Sequence, residues 1–165
     1  MSNSKIPAAF AELEGDRQFA TTLARGLELL RCFTPEAPVL GNKELATRLE
    51  LPPATVARLA YTLLQMGYLA QDEGRGKYRL GSAVLSVGYP LLELFHIRQR
   101  ARPLMLALAQ EVGGTVSIGI RDRLQIVSIE TVRGQARSAY AADVGTTYPM
   151  AGTAIGRAWL MACPA

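Results

Sequence analysis

The stretch from Asn42 to Gly81 constrains the fold most, because its pattern divides into a helix, a short turn, a second helix and a hairpin. The first helix is predicted from Lys43 to Glu50, with Asn42 as its cap and with Ala46 and Leu49 on one face. Two prolines then stop this helix, and a proline is tolerated again in the first turn of the next one.

The second helix is predicted from about Ala54 to Met66, and Gly67 ends it. Its buried face is expected to carry Val56, Leu59 and Leu63, with Leu64 or Met66 beside them. Two short strands follow, at 68–70 and 78–80, joined by a tight turn. Helix, turn, helix and hairpin in this order are typical of a winged helix-turn-helix.

The exposed side of the second helix has the chemistry of a DNA-reading surface. Its polar side chains, none of them acidic, can hydrogen-bond base edges or phosphates: Thr55, Arg58, Tyr61, Thr62 and Gln65. The planar fork of Arg58 suits guanine or phosphate, and Arg75 and Lys77 of the hairpin could neutralise phosphates. A helix-turn-helix can also mediate protein association, and cations on a hairpin are commonly only solvated, but the agreement of helix, turn and wing favours DNA binding.

Charge and composition are compatible with this prediction and exclude other classes. Residues 1–81 carry ten Lys+Arg against nine Asp+Glu, and residues 82–165 carry eight against five, so local placement must carry the argument rather than overall charge. No apolar run is long enough to span a bilayer, and the N-terminus shows no basic-then-apolar leader, so a cytoplasmic protein is expected. Cys32 and Cys163 lie far apart, and neither a metal nor another cofactor is expected.

The residues before and after the 42–81 stretch are predicted to form an arm, a further helix and a linker helix. Residues 1–18 lack a sustained period and are predicted to be a flexible arm, followed by a DNA-binding domain at 19–81. The first helix of this domain carries Leu23, Leu27, Leu30 and Phe33 at helical spacing, and this apolar face is expected to pack behind the helix-turn-helix. Arg25 on the same helix is either solvated or binds a DNA phosphate. Residues 82–102 are predicted as a linker helix, bent near 88–90, that packs on the next domain or forms a dimer seam. Its arginines, Arg98, Arg100 and Arg102, are interpreted as a solvated face.

The second domain, at 103–165, combines a helix with antiparallel strands, which makes the whole chain α+β. The strands are predicted at 115–121, 124–132 and 137–142. Small residues from Ala151 to Gly156 then enter a helix, whose start either presents amides to an anion or packs closely on the sheet. No carboxylate pair, activated nucleophile or phosphate loop indicates an enzyme, and a reaction using Cys163 is the weakest of the functions considered.

The segments TLARGLELLRCF, PPATVARLAYTLLQMGYL, KYRLG and GTTYPMAGTAIGRAWLMA occur in this order from about Phe19 onward. Together they resemble the isocitrate-lyase-regulator (IclR) family of bacterial transcription factors. The resemblance implies a winged helix-turn-helix joined by a helix to a GAF-like effector domain. It also implies dimers that form through the N-terminal part and pair into tetramers. LARGL and VGYPLLEL are most similar to members that control the catabolism of aromatic acids.

By this resemblance, Thr55 and Arg58 face DNA, and Arg25 matches an arginine that approaches the DNA backbone. Ala57 departs from the family, whose recognition helices often carry histidine, tyrosine or arginine there, and this departure could shift the base preference. The family's effector domain continues well beyond the last predicted helix, whereas the chain stops at Ala165. The resemblance therefore implies a truncated effector domain with an incomplete pocket and exposed sheet edges.

The mechanism expected on this basis is that of a regulator controlled by a small organic acid, with an aromatic acid as the narrower expectation. A homodimer or tetramer would place recognition helices in successive major grooves of double-stranded operator DNA, with the wings on flanking phosphates. The acid would act through the linker helix. It would bind against a pocket wall formed by Ser117, Ile129, Met150, Ala151, Gly152 and Thr153. The alternative is a small-molecule sensing module that uses its helix-turn-helix for protein association.

Overall fold

The computed structural model describes residues 8–72, 76–134 and 143–163. The chain divides into two compact units, Met1–Tyr89 and Pro90–Ala165. Two sequence predictions lie outside the described residues, namely the phosphate contact by Arg75 and the strand at 137–142.

The N-terminal unit packs helices around a small antiparallel sheet. After a 3₁₀ helix at Ala8–Leu13, within the predicted arm, its elements are α1 (Thr21–Arg31), β1 (Leu40–Gly41), α2 (Asn42–Leu49), α3 (Pro53–Gln65), β2 (Leu69–Asp72) and β3 (Lys77–Leu80). The strands lie in the order β1-β3-β2. The predicted helix-turn-helix and hairpin are confirmed, and β1 is an additional strand that the sequence analysis missed.

A residue in the left-handed conformation makes the turn between the two helices of the motif. Glu50 ends α2 with φ 52° and ψ 36°, a region that glycine would occupy at less cost. Pro52 is extended with ψ 136°, and Pro53 opens α3, because a missing N–H costs nothing at the first helical position.

The predicted cap of α2 is wrong by one residue. Gly41 is the cap, and its N–H donates to the Oε2 atom of Glu44 at 2.6 Å. Asn42 is the first helical residue, and its Nδ2 atom donates to the carbonyl of Pro53 at 3.1 Å. The Asn42 side chain therefore ties the start of α2 to the start of α3 instead of capping its own helix.

The core of the N-terminal unit is formed by one face of each helix and by the adjoining strands. Its buried residues are Leu29, Phe33, Leu40, Leu45, Ala46, Leu51, Val56, Leu59, Ala60 and Leu69. On α1 the prediction is partly wrong, since Leu23 and Leu27 are 63% and 54% exposed whereas Leu29 is fully buried. Leucines populate two faces of α1, so spacing alone could not select the face that packs on α2 and α3.

Two helices connect the wing to the second sheet. They are α4 (Ala83–Leu94) and α5 (Ile97–Val112), separated by a break at Phe95 and His96. Pro90 lies inside α4 and Pro103 inside α5, so the predicted linker helix is interrupted at Phe95 and His96 rather than at either proline. Within the described residues, no helix has the length and apolarity needed to cross a membrane.

The C-terminal unit is built on an antiparallel sheet with the order β4-β5-β6, formed by Thr115–Asp122, Gln125–Arg133 and Thr147–Pro149. The predicted β4–β5 hairpin is confirmed. A bulge interrupts it, because Ile118 pairs with Glu130 and Gly119 pairs with Ser128. Ile129 is therefore the extra residue on β5.

Helices cover both faces of this sheet. On one face, Met105 and Ala109 of α5 form a buried cluster with Val132, joined by Val116 and Ile118. The other face carries α6 (Ala154–Ala162), since a Cβ on Gly119 would lie 2.9 Å from the Cδ1 atom of Ile155. The predicted α+β fold, with an N-terminal helix-turn-helix and a C-terminal antiparallel sheet, is confirmed.

Candidate nucleic-acid interface and effector face

Helix α3 turns a polar face outward because its apolar residues are committed to the core. Val56, Leu59 and Ala60 are buried. Arg58 and Tyr61 therefore point away from the core and are exposed, Tyr61 by 63%. This is the face that the sequence analysis assigns to DNA.

A cleft of about 510 Å³ lies between the first turn of α1 and this face of α3. It is lined by Thr22, Arg25, Thr55, Ala57, Arg58, Leu59, Tyr61 and Thr62, none of which is acidic. The fold thus brings Arg25, from a helix earlier in the chain, to the same concave surface as the predicted residues of the recognition helix. Cationic, hydroxyl and aromatic groups on one surface are suited to phosphates and base edges.

Two details of the cleft limit which hydrogen bonds its side chains can form with a ligand. The Oγ1 atom of Thr62 donates to the carbonyl of Arg58 at 3.1 Å, so this hydroxyl can still accept a hydrogen bond but has used its proton. Ala57 lines the cleft with only a methyl group. The position therefore leaves open space and no hydrogen-bonding group beside Arg58.

The wing lysine is not at the cleft. Lys77 lies on β3, opposite Gly41 and Asp72, and its ammonium is 3.4 Å from the Oε2 atom of Glu44. The N–H of Gly41 and then Lys77 hold the pKa of Glu44 below its ordinary value. Lys77 is therefore engaged in an ion pair between β3 and α2, and a phosphate would have to compete with a carboxylate for it.

The predicted effector residues are distributed over β4, β5 and the loop before α6. The Oγ atom of Ser117 lies 3.1 Å from the Oγ1 atom of Thr131, which is 2.9 Å from the Oγ atom of Ser128. This hydroxyl cluster lies on the same face of the sheet as Gly119 and Ile155, since its residues alternate with those that pack on α5. Sequence analysis missed Ser128 and Thr131, although both interrupt an apolar strand.

The loop from Met150 to Thr153 supports the start of α6. Thr153 caps the helix by accepting from the N–H of Gly156 at 3.3 Å, and it donates to the carbonyl of Pro149 at 2.8 Å. A Cβ on Gly156 would lie only 1.9 Å from the carbonyl oxygen of Met150. Close packing thus accounts for this glycine, whereas Ala151 and Gly152 are exposed and Ile129 and Met150 are buried.

The interpretation of the linker arginines as a solvated face is wrong for Arg98, whose side chain is 25% exposed, whereas Arg102 is 55% exposed but forms an ion pair. Arg98 and Arg102 pair with Glu130, a buried carboxylate on β5.

Tyr148 of β6 has a buried Oη atom that lacks a hydrogen-bond partner within the described part of the chain. Across the same residues, no three His, Cys, Asp or Glu side chains are grouped to hold a metal ion.

Comparison with known families assigns both units. The family profile described as the IclR helix-turn-helix domain matches residues 22–73, which include α1, α2 and α3. The profile described as the bacterial transcriptional regulator IclR C-terminal domain matches residues 90–165. The second match begins at residue 90, where the C-terminal compact unit of the structure also begins.

Individual relatives agree with these matches. The HTH-type transcriptional regulator TsaQ1/TsaQ2 of Comamonas testosteroni is 41% identical over 145 residues, which is 87% of this chain and 52% of that protein. The crystal structure of an IclR family transcriptional regulator from Brucella abortus is 45% identical with a TM-score of 0.78, covering 96% of this chain and 60% of that one. An IclR homologue from Microbacterium hydrocarbonoxydans, solved in complex with 4-hydroxybenzoate, has the same fold at 21% identity, with a TM-score of 0.65 over 87% of this chain and 64% of that one. The chain thus spans about half the length of the curated relatives that it matches.

Proposed function

The chain belongs to the IclR family of bacterial transcriptional regulators, and from this membership we propose that it binds operator DNA through the cleft between α1 and α3. The observation that carries the proposal is the convergence of Arg25, Arg58 and Tyr61, with threonine hydroxyls, on one surface without an acidic lining residue. The proposed place of action is the cytoplasm, where operator DNA lies.

Arg58 is the central residue of the proposed interface. It lies on the exposed side of α3 and lines the cleft together with Arg25 and Tyr61, so its guanidinium is accessible from solvent. A planar fork with parallel N–H donors matches guanine or a phosphate. Arg25, at the edge of the cleft, is proposed to contact the DNA backbone, and Thr55 and Thr62 to position α3.

A homodimer is proposed as the DNA-binding form. Helix α4 exposes large apolar side chains along its length, each at least 60% exposed: Leu85, Val87, Tyr89 and Leu94. On α1, Leu23 and Leu27 are also exposed apolar residues. So much apolar surface on helices favours association with a second copy. Two protomers related by a two-fold axis would present two recognition helices to successive major grooves of a pseudo-palindromic operator. Pairing of such dimers into tetramers is proposed as well.

The C-terminal unit is proposed to bind a small organic acid on the face of its sheet that carries the hydroxyl cluster. Ser117 and the loop from Met150 to Thr153 remain the proposed contacts, and the structure adds Ser128 and Thr131 as neighbouring hydroxyls. Hydroxyl groups can orient a carboxylate or a phenol, and the 4-hydroxybenzoate complex of a protein with this fold supports an aromatic acid as the class.

The DNA-binding proposal is tested by a fluorescence-anisotropy titration of the purified chain against duplex DNA of random sequence at several salt concentrations. If Arg25 and Arg58 of both protomers each neutralise one phosphate, the logarithm of the binding constant should fall with the logarithm of salt with a slope of about −3.6. Absent binding at low salt, by a sample that sediments as a dimer, would contradict the proposal. That result would support the sensing module that associates through its helix-turn-helix.

The effector proposal is tested by thermal unfolding in the presence of 4-hydroxybenzoate, benzoate, succinate or acetate. An aromatic acid is expected to raise the melting temperature, because a ligand at about 100 times its Kd stabilises the folded state by about 2.7 kcal/mol. The variant Thr131→Val removes one hydroxyl at nearly constant shape and should weaken that binding by about 0.5–1.5 kcal/mol. If none of the four acids changes the melting temperature, the proposed class is wrong.

A further inference from the structure

Two arginines of α5 converge on one acidic side chain of the sheet. The Nη1 atom of Arg102 lies 2.6 Å from the Oε1 atom of Glu130, and the Nε atom of Arg98 lies 3.4 Å from its Oε2 atom. Glu130 is 7% exposed. Because a buried carboxylate is strongly disfavoured without partners, these contacts fix the first half of α5 on β5.

Arg98 also reaches across the break between the helices. Its Nη1 atom lies 3.5 Å from the carbonyl oxygen of Leu92, in the last turn of α4. The Leu92 carbonyl also accepts from the N–H of Phe95 at 3.2 Å, and because a carbonyl oxygen has two lone pairs, a guanidinium at this end of the helix is still electrostatically favourable. One side chain thus joins the end of α4 to the carboxylate on the sheet.

The Glu130 carboxylate lies next to the bulge on β5. It directly follows Ile129, the extra residue of the bulge, and it lies between Ser128 and Thr131 along the strand. Those two residues carry the hydroxyl cluster on the opposite face of the sheet. The bulge leaves Ile129 unpaired and disrupts the ladder locally, so a change on the hydroxyl face can move the adjoining Glu130.

We propose that Arg98 is the positioning residue through which the hydroxyl face of the C-terminal unit controls the last turn of α4, with Glu130 as the relay. The proposal rests on the proposed effector site, since it names the route by which that site acts. Arg102 keeps Glu130 paired, and Arg98 holds the last turn of α4 at the start of α5.

The distances from Arg98 and Arg102 to Glu130 indicate that the two arginines have different roles. The contact of Arg102 is short and strong, whereas both contacts of Arg98 are long, and its Nε atom is within ion-pair distance of Glu130 without a well-aligned hydrogen bond. Arg98 can therefore shift between the carboxylate and the Leu92 carbonyl without leaving Glu130 unpaired. A two-position contact of this kind can transmit a small movement of β5.

Hydrogen exchange of the full chain, without DNA or added ligand, tests this coupling. Glu130→Gln removes the charge on the sheet and keeps the shape. Backbone amides in the segment 88–97 are expected to exchange about tenfold faster in this variant, although Glu130 has no hydrogen bond or ion pair to α4 in the described structure. Arg98→Ala should give the same local increase, while β4 keeps the exchange rates of the unchanged chain.

Arg100→Ala is the matched control, because Arg100 lies on the same helix between the two arginines and is exposed. It should leave the exchange of segment 88–97 unchanged. Equal exchange in the unchanged chain and in Glu130→Gln would overturn the proposal, and so would a uniform increase over α5 and β4. If Glu130→Gln does not fold, Arg98→Ala decides by the same criterion. Since no DNA is present, failure of the relay is distinct from failure of the DNA-binding and effector proposals.

Discussion

Arg58→Ala is expected to weaken binding to duplex DNA by about 1–3 kcal/mol for each protomer in the complex, which is roughly 5- to 150-fold. The guanidinium is exposed on the outward face of α3 and lines the cleft with Arg25. No core contact is lost, so the melting temperature should stay within the range of surface substitutions. Anisotropy titrations at one fixed salt concentration measure the effect.

Two further variants distinguish a specific role of Arg58 from an effect of net charge. Arg58→Lys keeps the charge but loses the planar fork, so it should retain the salt dependence while losing affinity for a specific site. Arg157→Ala removes an exposed arginine from α6, in the other unit, and should leave DNA affinity nearly unchanged. If Arg58→Ala and Arg157→Ala weaken binding equally, Arg58 has no specific role and only net charge matters.

Leu29→Ala is expected to destabilise the N-terminal unit by about 2–5 kcal/mol, since it removes a fully buried side chain and leaves a cavity. That loss is a large part of the roughly 5–15 kcal/mol that stabilises a typical domain. DNA binding should therefore be lost at a lower denaturant concentration than in the unchanged chain. Urea unfolding followed by circular dichroism, with anisotropy alongside, measures both effects.

Leu27→Ala is the matched control for this prediction. Leu27 lies on the same helix but is 54% exposed, so its truncation should cost well under the loss at Leu29. Measurements at several protein concentrations separate a loss of folding from a loss of association, because only the latter depends on concentration. If Leu27→Ala costs as much as Leu29→Ala at every concentration, Leu27 faces the core, as its spacing suggested.

Local features of the fold follow most directly from the sequence where one residue type decides the outcome. The prolines after Leu51 and the glycine at 67 set the limits of α3 to within one residue. The apolar spacing of Val56 and Leu59 then determined which face of α3 points outward. Proline and glycine act on the backbone of their own segment, so such signals are readable without the rest of the fold.

Other predictions failed where the local pattern did not single out one structure. The leucines of α1 lie on two faces, and contact with α2 and α3 selects the face with Leu29. A helix was expected to begin at Pro103, yet Pro103 lies inside α5 and the break between the helices occurs at Phe95 and His96. A proline removes one backbone hydrogen bond, a local loss that packing elsewhere in the fold can offset.

The order of elements, the α+β class and the composition of the recognition face follow from residue types at short spacing in the chain. The contacts between side chains that are distant in the chain are set by tertiary packing. This packing placed Arg25 beside Arg58, joined Lys77 to Glu44, and directed Arg98 and Arg102 to a buried glutamate. Such meetings depend on the packing angles of helices and on strand register, including a bulge of one residue. Local spacing does not encode these quantities, since side chains far apart in the chain set them jointly.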